Sequence, residues 1–179
     1  MASLTAKLAA AAVSGVVLAA VTGPPAHGHR HGDIASLLSS ISHVIPAGGS
    51  YTPASWARAV LRAEGAPRTG CNMGAMLAWE GAEGGHWEND ASFNPLNTTY
   101  DGPGGSWLYN GRITATINGD QVRAYNSWHT GLVATVRTLN LPAYAGIRAA
   151  LAAGDSAQAV ADAEAGTPWG TGPFTASCL

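Results

Sequence analysis

From Asp33 to Ile45 the apolar side chains Ile34, Leu37, Leu38 and Ile41 fall on one helical face, and Asp33 stands in a capping position before them. The "PAGGS" that follows breaks the pattern. A second stripe, Trp56, Val60 and Leu61, begins after Thr52 and Pro53, a cap followed by a first-turn proline, and stops at Gly65 and Pro67. A third helix is predicted from about Asn72 to Glu83, with Met73, Met76, Leu77 and Glu80 on one stripe and Trp79 and Glu83 adjacent at i, i+4. Gly84 and Gly85 end it. The C-terminal third returns to helical spacing over Ser127–Leu139, Pro142–Ala153 and Asp155–Ala165. Leu132, Val133, Val136 and Leu139 face one way in the first of these, and Tyr144, Ile147, Ala150 and Leu151 in the second.

Between these helical halves the periodicity disappears. Trp87 to Gly105 is rich in Asn, Gly, Thr and Pro, and two Asn-Gly steps follow, at Asn110 and Asn118. The second separates "RITATI" from "QVRAY", a hairpin signal. Helices flanking a small antiparallel element predict an α+β fold, mainly α, with an irregular, hairpin-bearing lobe beside the helices.

Composition adds a compartment. Lys7 precedes an apolar stretch of about 14 residues, too short for the ~20 needed to span a bilayer, and small residues and prolines follow. Residues 1–28 therefore read as a secretory signal and its cleavage region, 29–50 as an N-terminal segment with a short helix, and 51–179 as the domain proper. The mature chain, about 150 residues, is long enough to bury a real core. A formal net charge of −2, with Lys7 the sole lysine, gives no nucleic-acid footprint. Two cysteines, Cys71 and Cys178, in an exported chain suggest one disulfide pinning the tail near a helix start. Neither cysteine has a second metal ligand at useful spacing, so no metal and no cofactor is expected.

The chain carries few charges, yet Glu80, Glu83, Glu88 and Asp90 crowd one helix end. Glycoside cleavage requires a carboxylic acid that keeps its proton near neutral pH to protonate the leaving oxygen, and a partly apolar setting supplies that. Glu83 suits the task better than Glu80. Trp79 lies one turn below it, Trp87 just beyond, and the glycines after it leave room for a sugar chain. Glu80, a turn deeper, is expected to bond backbone or an arginine. The plainer alternative for Glu83 is a solvated helix end, which the local dipole does not favour for a carboxylate.

The segments "AWEGAEGG", "NPLNTT", "VRAYNSWHTGLVATVRTL" and "TPWGTG" resemble the lysozyme-like cell-wall hydrolases of actinobacteria and their phages. More distantly they are similar to the bacterial glucosaminidases. The resemblance runs from about Trp56 to Gly170. It implies a lysozyme-like domain with Glu83 as general acid, Asn94 on the cleft floor and Tyr125 near the reacting sugar. A second acid on the hairpin lobe has no clear match here; the candidates are Asp120, which also follows an Asn-Gly turn, and Asp101.

Trp87, Trp107, Tyr109 and Trp169 lie in loop or hairpin contexts where rings can stack on sugars, whereas Trp56, Trp79 and Trp128 lie on helical faces. Asn97, Thr98 and Thr99 either bond sugar hydroxyls or satisfy their own loop. The expectation is a secreted, monomeric enzyme that cleaves β-1,4 bonds in peptidoglycan of the cell wall, as a glucosaminidase or muramidase. The alternatives are lytic transglycosylation, a non-catalytic wall-binding module on the same fold, or an exported interaction protein.

Overall fold

The computed structural model describes residues 50–84, 87–88, 90–100, 105–107 (backbone) and 122–179. The signal segment, the helix expected over 33–45, the hairpin turn at Asn118, and the candidates Asp101, Tyr109 and Asp120 lie outside the described residues, as does the side chain of Trp107.

Helix α1, Pro53–Ala63, starts at a reciprocal cap: the Ser55 amide donates to Thr52 Oγ1 at 3.2 Å and the Thr52 amide to Ser55 Oγ at 2.8 Å. It stops because Gly65 takes a left-handed φ of +67°, which lets the Ala66 amide reach back to the Leu61 carbonyl at 2.9 Å. Helix α2, Gly70–Gly84, begins two residues earlier than the apolar stripe predicts, because Thr69 caps it, its Oγ1 receiving the Asn72 amide at 3.1 Å. The buried Asn72 amide group donates to the carbonyls of Pro67 and Leu151, both at 2.7 Å, and so fixes the start of α2 against the later helices.

Strands β1, Gly105–Trp107, and β2, Arg123–Tyr125, pair antiparallel with Ser106 opposite Ala124. The described partner of "RAY" is thus "GSW", a segment without strand periodicity in the sequence. Helix α3, Trp128–Leu139, is capped by Ser127. The stretch predicted as one helix from Pro142 divides into a 3-10 turn, Pro142–Tyr144, and helix α4, Ala145–Ala153. Gly154, at φ +68°, turns the chain into helix α5, Ala157–Ala165, capped by Ser156. No helix of the described residues is long and apolar enough to cross a membrane.

The fold is mainly helical. Its core is a single cluster in which Trp56, Leu61, Met76, Trp79, Leu96, Leu132, Leu139, Ile147 and Leu151 are fully buried. Two close approaches place the functional region. The loop at Phe93 crosses α3 at Gly131, where an added Cβ would lie 1.8 Å from the Phe93 carbonyl oxygen. The C-terminal tail crosses α2 at Gly74, where a Cβ would lie 1.9 Å from the Ser177 carbonyl oxygen. The disulfide Cys71–Cys178 fastens that crossing, and the Leu179 amide adds a bond to the Gly70 carbonyl at 3.1 Å. Both crossings require a residue without a side chain; only glycine fits.

Candidate functional site

Two segments converge on the last turn of α2. One is the loop Ala91–Tyr100, which is held by its own polar side chains. Asn94, 1% exposed, donates to the carbonyls of Thr98 at 2.9 Å and Arg123 at 2.7 Å, and its Oδ1 accepts the Thr98 amide at 2.9 Å. Thr98 shares a 2.6 Å hydroxyl contact with Thr138 of α3. So tied, the loop sets Asn97 at φ +51°, and the Asn97 side-chain amide bonds both the backbone carbonyl and, at 3.1 Å, the Oε2 of Glu83. Among the described residues, the other non-glycine residues at positive φ are Trp87 (+74°) and Phe93 (+57°). Bulky residues adopt this region only when the surroundings force it, at a cost on the order of 1–3 kcal/mol each, and such strain concentrates at functional sites.

The other segment is the tail after α5. Thr171 places its hydroxyl against Glu83 Oε1, against Glu164 Oε1 at 2.7 Å, and under the Trp79 indole N–H at 3.0 Å. Its amide also donates to Glu164 Oε1 at 3.3 Å. Glu83 is half-buried, and each of its carboxyl oxygens receives a donor from a different segment. Burial pushes its pKa above the ordinary glutamate value, a negative charge on the neighbouring Glu164 would push the same way, and the Thr171 and Asn97 bonds pull it down.

Two further glutamates are fully buried. Glu80, 1% exposed, accepts the Trp87 indole N–H at 2.8 Å on one oxygen, and its other oxygen is buried without a partner. Burial drives its pKa up to about 8 against the opposing Trp87 bond, so it is neutral at pH 7. The bond is to an indole, not the backbone or arginine the sequence suggested. Glu164, 0% exposed, likewise keeps one oxygen buried and unpartnered, and burial raises its pKa.

Of the expected site residues, the structure brings Glu83 and Asn97 together, while Trp87 bonds Glu80, three residues earlier on α2. Three expectations are corrected. Trp169, expected to stack on sugar, is 4% exposed, packs edge-on against Trp79 and Tyr144, and donates to the Leu96 carbonyl at 2.8 Å; with an acceptor available in the interior, the indole is a core residue. Tyr125 is 3% exposed with its hydroxyl on the Tyr100 carbonyl at 2.8 Å, so it braces the loop. Asn94, expected on the cleft floor, is buried with its side-chain amide spent on the Thr98 and Arg123 backbone. Thr98 takes the second of its two readings and satisfies its own loop and Thr138. Trp87 is intermediate: one face stacks on Trp128 at 4.7 Å, and the two rings, with Ala91, Ser92, Phe93, Asn94 and Pro95, line a recess of about 80 Å³.

Sequence reading missed Glu164 and Thr171. The signal for Glu164 was present: Ala157, Val160, Ala161 and Glu164 share the buried stripe of α5, and a carboxylate on an apolar stripe demands a partner. The described residues contain no cluster of three metal-ligating side chains. The chain matches no protein-family model, no curated protein and no solved structure.

Proposed function

We propose that the protein is an exported glycoside hydrolase that cleaves β-1,4 bonds between the amino sugars of peptidoglycan, with Glu83 as general acid. What carries the reading is the state of one carboxyl. Glu83 is neither sealed in the core nor free in solvent; it is half-buried at a rigid helix end, with a donor on each oxygen. A general acid needs that combination, because partial burial retains the proton and the waiting donors stabilise the carboxylate formed as it leaves.

The chemistry is short. Glu83 protonates the bridging oxygen, the C1–O bond breaks with its electron pair on the leaving group, and an oxocarbenium-like sugar forms. Glu80 and Glu164 are buried, so neither offers itself as the second carboxylate, and the reaction is completed by water or by the substrate's own hydroxyl or acetamido group. The mainly helical fold with a two-stranded ladder beside α3 suits the lysozyme-like architecture that the sequence resembles. The disulfide accords with an oxidising compartment.

Replacing Glu83 with Gln tests this directly. The variant keeps the size of the side chain and an oxygen for one of the two donors, Asn97 or Thr171, so it is expected to stay folded and still sediment with wall material, at a stability cost of about 1–3 kcal/mol for the donor left facing the amide nitrogen. Release of soluble glycan should fall at least ~100-fold, the range general acids contribute. Wall binding by a wild type that releases no fragments at any pH would instead make the protein a binding module.

A further inference from the structure

The Thr171 hydroxyl is in contact with three groups, and its one hydrogen cannot serve them all. A hydroxyl has one hydrogen and two lone pairs. The Trp79 N–H occupies one lone pair at 3.0 Å. Glu164 Oε1, at 2.7 Å, and Glu83 Oε1 are both at bonding distance. The hydroxyl hydrogen can point at only one of them, so the other contact needs a hydrogen that comes from the carboxyl. A proton on one of the two glutamates satisfies all three contacts of the hydroxyl at once.

We infer that this proton belongs to Glu164, which donates it to Thr171 Oγ and thereby turns the Thr171 hydrogen toward Glu83. Glu164 and Thr171 are thus positioning residues for the acid, an assignment that rests on the reading of Glu83 above. The choice follows from the surroundings. Glu164 is fully enclosed; its ionised form would bury a charge with the Thr171 N–H on one oxygen and no donor on the other. Glu83 is half-buried and has Asn97 on its second oxygen, so it meets two donors when ionised. With Glu164 protonated, both lone pairs and the hydrogen of Thr171 are all used. The titratable groups on the helices packed against α5 are Glu80 and Glu83 from α2 and Arg148 from α4; Arg148 bonds Asn140 and acts on Glu64 instead.

In the reaction, Glu83 gives its proton to the bridging oxygen as the C1–O bond breaks, and the electron pair and proton both end on the leaving group. The Glu83 carboxylate is then received by the Thr171 O–H and the Asn97 N–H, already in place. Glu164 keeps its proton throughout, so nothing has to reorient.

The test uses the full-length, disulfide-intact protein labelled with 13C at glutamate carboxyls. The Glu83 and Glu164 signals are assigned by their loss in Glu83→Gln and Glu164→Gln, and the carboxyl carbons are followed from acid to alkaline pH. The expected result is a Glu164 carbon at its protonated position through neutral pH, with Glu83 titrating before Glu164 as the pH rises. An ionised Glu164 at neutral pH, whether Glu83 is then charged or neutral, overturns the inference. Kinetics supply a second reading. Glu164→Leu should lower kcat about tenfold or more with little change in KM, and Glu164→Gln, which keeps an N–H for Thr171, should restore it with the alkaline limb of the pH profile unmoved. A downward shift of that limb by one pH unit in Glu164→Gln would mean that Glu164 had been charged. Because the carbon titration needs no substrate, a protein that cleaves no glycan would end the enzymatic reading and leave the proton assignment standing.

Discussion

Replacing Glu80 with Gln isolates the cost of the deeper of the two helix-end glutamates. An acid whose folded pKa lies above its unfolded value binds its proton more tightly in the folded state. Folding is then favoured most below about 4.5, and that advantage is lost as the pH rises toward the folded value of about 8. At pH 7 the span is two and a half units, at about 1.4 kcal/mol each, or roughly 3 kcal/mol. Gln resembles the protonated acid: its oxygen can accept the Trp87 indole, and its amide meets the same empty neighbourhood as the orphaned oxygen. It does not titrate. The stability difference, Gln variant minus wild type, should therefore rise by roughly 3 kcal/mol between pH 4.5 and pH 7 and level off above about pH 8, whatever its starting value at low pH. Urea melts of both proteins across this range measure it, and titrations of the other glutamates cancel in the difference. A difference that stays flat with pH would refute the claim that Glu80 is packed as a neutral acid. The same variant should release wall fragments within a few-fold of the wild type, because Glu80 takes no part in proton transfer.

Three other outcomes follow from the packing. Trp169→Ala should cost about 3–5 kcal/mol of stability, as a deleted core aromatic does, and not act as a selective rise in KM; thermal melts beside wall-lysis kinetics separate the two. Cys178→Ser opens a link across a sequence separation of 107 residues, and should cost about 4–5 kcal/mol by chain entropy in equilibrium unfolding. It should also lower activity more than a stability loss alone explains, since the freed tail carries Thr171. Gly131→Ala would set a methyl 1.8 Å from the Phe93 carbonyl oxygen, so the loop bearing Asn97 must move; a loss of 2 kcal/mol or more is expected, read by denaturation midpoints.

Local chemistry made the helices legible. Thr52, Pro53 and Gly65 bound α1 because capping and left-handed turns are short-range affairs, and Ser127 starts α3 for the same reason. Glu83 could be singled out because its helix end, its tryptophans and the following glycines are all within a few residues of it. The rest depended on distant contacts. Thr171 meets Glu83 only because the tail returns over α2 at Gly74, a crossing between residues about a hundred positions apart in sequence. Trp169 reads as a loop aromatic free to stack on sugar, and only the tertiary fold shows Leu96 holding its indole N–H. Helix α2 starts two residues before the apolar periodicity that begins at Asn72, because Thr69 caps it. Tyr144, with ψ of +14°, divides a stretch whose side-chain pattern reads as one continuous helix.

The most direct measurement is mass spectrometry of the soluble fragments released from purified peptidoglycan by the wild type and by Glu83→Gln. The account predicts muropeptides cut at a single type of β-1,4 bond from the wild type, with a reducing end if water completes the reaction or an anhydro end if the substrate's own hydroxyl does, and almost none from the variant. Equal release by the two proteins, or intact glycan with both, would contradict it.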